Sequence, residues 1–344
     1  MPPLGFFKHT TVHLLTFSKV KRMLLRQGIV IFALMCWFGS FVGLKSASAL
    51  ENQDARAKSL THYALGVMDD LQGLNEQALA QYKKSAEYEE NYAVYLRLGA
   101  DYARLGNLEE ASTALRRVLD FDSQNVQARY LLAVIYSSQK EYTKAATEYE
   151  AILNSVKEAD PANIEIYGYL GQLYYAQKEY DKAIKQFETI RSLEPNNADV
   201  LYLLGSLYLE VRDHKKAVDL FLKALEADPN HDGCLNSLGY LYADEGTKLD
   251  EAEDMIRRAL KIDPHNGAYL DSLGWVYYKK GLYEQAISTF EEADSFLKDP
   301  VIYEHLGDVY SKLNKKAEAK KYWSLSLDLL PGQEKVLQKI KSLQ

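Results

Sequence analysis

Cysteine is almost absent from this chain of 344 residues, with Cys36 and Cys234 the whole complement. A single widely spaced pair cannot form the disulfide framework that staples small secreted folds, so compartment is not legible from cysteine. Cys234 falls where a helix should begin and reads as a small, semi-buried hydrophobe. Acidic side chains are missing from the first fifty residues, whose only charges are Lys8, Lys19, Lys21, Arg22, Arg26 and Lys45. The rest carries 35 basic against 48 acidic side chains, a net of −13. A body this acidic lacks the basic stripe that phosphate neutralisation requires, which argues against nucleic acid as a partner. Catalytic signatures are missing too: there is no HExxH pair, glycine-rich phosphate loop, GxSxG elbow or CxxC. His62, His265 and His305 read as packing or loop residues, and the paired acids Glu109 and Glu110 as solvated charge. No enzyme, metal site or cofactor is expected.

One long apolar run is present, GIVIFALMCWFGSFVGL over residues 28–44, preceded by basic residues and followed by Lys45 and SASAL. A basic start, an apolar centre and the small Ala47 and Ala49 are what signal peptidase accepts, so cleavage after Ala49 is expected. The alternative is an uncleaved anchor, since the run is at the short end of a bilayer span. Either outcome places the remainder outside the cytoplasm. Residues 50–58 read as a linker.

The remainder is periodic. Gly66, Gly99, Ala133, Gly171, Gly205, Gly239, Gly274 and Gly307 recur at intervals of 33 to 38 residues. Twelve residues after each comes an alanine (thirteen for Ala252), and four further on a large residue: Tyr82, Leu115, Tyr149, Phe187, Phe221, Ile256, Phe290 and Trp323. Two antiparallel helices approach closely only where one lacks bulk, and the large group then fills the gap. Tyrosine follows the small residue by three in the last seven repeats. Pro161, Pro195, Pro229 and Pro264 break one repeat from the next, and Gly73, Gly106, Gly246 and Gly281 suit the turn inside a repeat.

This pattern resembles the tetratricopeptide repeat over residues 59–331. The resemblance implies an all-α fold, a right-handed superhelical solenoid of eight helix-turn-helix repeats. Asp69 departs from it, standing where tyrosine is expected. Residues 332–344, with Val336, Leu337, Ile340 and Leu343 on one face, are expected to form a capping helix. NSVKEADPANIEI between repeats three and four, and EGTKLDEA inside repeat six, are expected surface loops.

If the small residue is position 8, the resemblance implies that positions 2, 5, 9 and 12 of each first helix line a concave groove. The candidates are Tyr130, Gln172, Tyr175, Tyr202, Leu209, Asn236, Tyr240, Asp271, Trp275 and Tyr278, with the last five after Leu209 forming the densest cluster. Aromatic and amide groups suit an extended peptide or a helix. Position 9 offers no set of side chains for the carboxylate clamp of chaperone-binding relatives, and the asparagine ladder of sugar-transferase relatives is absent. The stretch from Leu235 to Ala293 is similar to exported bacterial repeat proteins. The expected function is a non-catalytic scaffold or adaptor in the periplasm or envelope that binds a protein segment. The alternative is a non-catalytic subunit of polysaccharide-export or outer-membrane assembly machinery.

Overall fold

The computed structural model describes residues 47–156 and 163–343. The leader, its apolar run and most of the loop between repeats three and four lie outside the described residues. Those described are α-helical and fall into two compact units, which meet in sequence between Pro195 and Asn196. The first holds four helical hairpins: α1 (Ala47–Leu71) with α2 (Asn75–Tyr88), α3 (Tyr92–Arg104) with α4 (Leu108–Phe121), α5 (Val126–Ser138) with α6 (Tyr142–Val156), and α7 (Ile164–Ala176) with α8 (Tyr180–Leu193). The second holds four more: α9 (Ala198–Glu210) with α10 (His214–Ala227), α11 (Asp232–Asp244) with α12 (Leu249–Ile262), α13 (Gly267–Lys279) with α14 (Tyr283–Phe296), and α15 (Pro300–Lys312) with α16 (Lys316–Leu329). It ends in α17 (Glu334–Lys341), which packs on α16. The eight expected repeats are therefore present. The stretch 50–58, expected as a linker, is instead part of α1, since its Leu, Glu, Gln, Ala, Arg and Lys residues favour helix.

Close packing within each hairpin rests on the small position. A β-carbon built on Gly205 would lie 2.4 Å from Phe221 Cε1, and one on Gly274 would lie 2.6 Å from Phe290 Cε1. The same collision recurs at Gly66 with Tyr82, Gly99 with Leu115, Gly171 with Phe187 and Gly307 with Trp323. The large residue of one helix thus lies on the bare backbone of the other. Repeat three is the exception, pairing Ala133 with Tyr149, both buried.

Two further devices set the helix ends. The first helices from α3 onward are capped by Asn91, Asn125, Asn163, Asn197, His231, Asn266 and Asp299, whose side chains accept from backbone N–H groups of the first turn. The turn inside every repeat contains one left-handed residue seven positions after the small one. It is glycine in four repeats but Lys140, Lys178, Arg212 and Asn314 in the others. In repeat six the inserted residue is absorbed by a second left-handed position, Lys248 (φ 46°), so the expected surface loop is a turn one residue longer than in the other repeats. Each tyrosine of the register lies under a cation, from the start of its own second helix as with Lys216 4.7 Å from Tyr208 and Lys144 5.4 Å from Tyr136, or from the preceding second helix as with Lys83 at Tyr102 and Arg257 at Tyr277.

The capping helix buries Val336 against Ala319 and Trp323, with Ile340 and Leu343 partly covered. Leu337 departs from the expected face and is exposed, because a helix of eight residues presents only one narrow stripe to α16.

Candidate functional site

Seven of the ten expected groove residues lie in the second unit, on α9, α11 and α13. The local sequence places them: the small residue and the buried positions beside it turn one face of each first helix onto its own second helix. Positions 5, 9 and 12 fall together on the neighbouring face, roughly 40–100° round the helix from the small residue. Tyr202 and Leu209 are half-buried on α9. The Tyr202 ring lies 4.9 Å from that of His231, and Gly233 leaves room for it, since a β-carbon there would come 2.9 Å from the ring. His231 does double duty, accepting the Cys234 N–H at Nδ1 and reaching Asp199 Oδ1 at 3.3 Å with Nε2. That pairing is served by the neutral ring with its proton on Nε2.

The densest expected cluster comes together, but its members do different things. Trp275 and Tyr278, half-buried, stack on one another at 4.8 Å between ring centres. Trp275 also stacks on His305 of α15 at 4.3 Å, and Lys279 Nζ lies 5.1 Å from its ring. His305 in turn meets Phe290 and is held by Asp271, Nδ1 to Oδ1 at 2.8 Å. Asp271, Asn236 and Tyr240 are 0%, 1% and 5% exposed, which corrects their expected place on an open surface. Helices α11 and α13 pack against one another, and His305 of α15 closes over Asp271, whereas Trp275 stays half-buried. Asp271 therefore positions the His305 ring, and through it the stack, without offering its own surface. Burial, with Asp244, Asp271 and Glu304 nearby, pushes the Tyr240 phenol well above its ordinary range. Burial and Asp308 push Tyr278 up to about 12.

Three atoms of this cluster, Asn236 Oδ1, Asp271 Oδ2 and Trp275 Nε1, are buried without a protein hydrogen-bond partner. Beyond Trp275 the face turns acidic. Glu304 and Asp308 receive Lys339 Nζ from α17 at 2.6 and 2.7 Å, and Asp308 also accepts Trp323 Nε1 at 3.0 Å. Sequence reasoning took His305 for a packing or loop residue and missed Glu304 and Lys339. The histidine stands at position 6, beside the counted register, and the lysine belongs to the cap.

In the first unit two of the three remaining candidates meet other rings. Tyr130 contacts Tyr149 and Tyr169 at 6.0 and 6.3 Å, and Tyr175 contacts Tyr180 at 5.7 Å. Gln172 is half-buried on α7. Cys234 is fully buried, and burial raises its thiol pKa, the opposite of what a nucleophile needs. A separate hollow of about 330 Å³ between α10 and α12 is lined by Leu222, Leu225, Met255 and Arg258 and takes none of the candidate residues.

The tetratricopeptide repeat family model matches residues 96–164, 170–232 and 238–299, and a second model of that description matches residues 301–329. A curated relative, the type IV pilus assembly protein PilF of Pseudomonas aeruginosa, is 36% identical over 61 residues. The match takes in 18% of this chain and 24% of that protein, so the chain spans about a quarter of the relative's length. Among solved structures, a tetratricopeptide repeat protein from Parabacteroides merdae superposes with a TM-score of 0.59 at 19% identity, covering 73% of this chain and 98% of that one. PilW, a widely conserved type IV pilus biogenesis factor, superposes with a TM-score of 0.52 at 21% identity, covering 64% and 99%. The two structural likenesses concern the fold.

Proposed function

The chain belongs to the tetratricopeptide repeat family, and we propose that it is a non-catalytic envelope scaffold holding a protein segment on the first-helix face of its second unit. The observation that carries this reading is the stack of Tyr278, Trp275 and His305, fixed from α13 and α15 by the buried Asp271. The half-exposed Trp275 and Tyr278 rings, their positions already set by the buried His305, lose little freedom on binding, so their contact area converts efficiently into affinity. The three unpartnered buried atoms beside the stack are consistent with a polar group brought by the partner. The envelope location draws on the leader and on the name of the PilF relative. By that analogy, the partner is a component of a surface-assembly machine such as the type IV pilus.

The test is capture from envelope extract by the wild-type chain and by a Trp275→Ala/Tyr278→Ala variant. Tyr240 is avoided because it is buried and its loss would damage packing. The variant should keep its helicity and lose the principal captured protein at least tenfold. Equal capture by both would refute the assignment of the face.

A further inference from the structure

The first helix is unlike the others. α1 has 25 residues, whereas α3, α5 and α7 have 13 each. Positions 7 and 10 of those later helices are buried: Leu98, Leu132 and Leu170 at the former are at most 5% exposed, and Asp101, Ile135 and Leu173 at the latter at most 7%. In the second repeat the cover comes from the preceding second helix, where Val94 and Leu98 cluster with Leu79 and Tyr82 of α2. In α1 the same two positions are Leu65 and Met68, exposed to 39% and 56%. Leu60 and Leu71 extend the bare stripe, and Ala57 and Ala64 on it are also exposed. This is a stacking face without a neighbour.

We propose that a second copy of this chain covers it, the two α1 helices packing antiparallel and crossing at the level of Ala64. Two arguments select this occupant. The first is charge. Lys58 and Asp69 are eleven residues apart, which on a helix of 3.6 residues per turn puts them on one flank of the stripe. Asp69, which stands where every later repeat has tyrosine, has no ion-pair partner among the described residues, while Lys58 pairs with the exposed Asp54 of its own helix and lies 5.7 Å from the Tyr88 ring. Antiparallel pairing sets Lys58 of each copy beside Asp69 of the other, twice by symmetry, whereas parallel pairing puts this flank on opposite sides of the two helices and forms neither pair. The second is area. The exposed parts of Leu60, Leu65, Met68 and Leu71 amount to roughly 400 Å² per copy, and with the flanking alanines and lysine stems two copies reach the lower end of specific interfaces, about 1,200 Å². A head-to-tail arrangement is closed off, because α17 already covers the last second helix.

An interface of that size and charge pattern gives a reversible dimer, with Kd on the order of ten micromolar. Sedimentation equilibrium of the purified protein tests it at low salt. Met68→Glu, Lys58→Glu and Asp69→Lys should each weaken the dimer at least tenfold with helicity retained. The double variant Lys58→Glu/Asp69→Lys should recover it, because reciprocal reversal restores both ion pairs only when the helix pairs with itself. A wild-type chain that stays monomeric well above that concentration would overturn the proposal. So would a dimer untouched by Met68→Glu, or a charge reversal that fails to rescue, as when the face belongs to another protein's helix.

Discussion

Gly205→Ala separates steric design from helix propensity at the centre of a repeat. In isolation this change should help α9, because glycine inside a helix costs about 1 kcal/mol relative to alanine. The new β-carbon, however, would sit 2.4 Å from Phe221 Cε1, with Phe221 itself fully buried and unable to retreat. Overpacking of that kind costs about 1–3 kcal/mol, so the single variant should be destabilised by up to about 2 kcal/mol. Phe221→Leu alone opens a cavity and should cost about 1–2 kcal/mol. In the Phe221→Leu background the obstacle is smaller, and Gly205→Ala should become neutral or stabilising. The coupling between the two sites is then about 1–2 kcal/mol. Urea unfolding followed by circular dichroism measures it, with the slope checked because repeat arrays can depart from two-state behaviour. Additive effects would refute the argument that the small position exists to seat the large one.

Other expectations follow from single residues. Burial first, and the neighbouring Asp70 carboxylate second, raise the pKa of Asp101 to about 7 against the opposing pull of Arg104. The folded state therefore binds this proton more tightly than the unfolded chain: its contribution is fully present below about pH 4, declines between pH 4 and 7, and is lost above. Asp101→Asn should accordingly gain stability relative to wild type as pH rises through that window, in paired melts at pH 4.5 and 8. His231→Ala should lower stability by about 1 kcal/mol through loss of the α11 cap, while His231→Asn, the choice of five sister repeats, should retain most of it in thermal unfolding. Lys178→Gly and Arg212→Gly relieve left-handed strain at φ 60° and 62° and should each stabilise by up to about 1 kcal/mol in urea.

The repeat was legible because it is written in sterics at fixed spacing. A missing β-carbon at Gly274 and a ring at Phe290 sixteen residues later can only mean a close helix crossing. The turns were half legible. Glycine announces a left-handed residue at Gly106, but Lys140 and Arg212 adopt the same conformation because the fold around them dictates it. The capping asparagines lay outside the residues that define the repeat and went unread. At the candidate face, counting positions indicates the side of a helix a residue occupies but not how tightly the next helix covers that side. For this reason Trp275 and Tyr278 keep half-exposed rings while Asn236, Tyr240 and Asp271 are buried, Asp271 against His305 of α15. His305 was read as packing, yet it links the buried carboxylate to the exposed stack, a relation across 34 residues that exists only once the repeats are in contact.

The most direct test of the account is hydrogen exchange on the chain with and without the protein captured from envelope extract. Binding on the proposed face should slow exchange in α13 and α15 around Trp275 and His305, and leave the second helices α12 and α14 unchanged. Protection confined to the second helices, or none in the second unit, would contradict it.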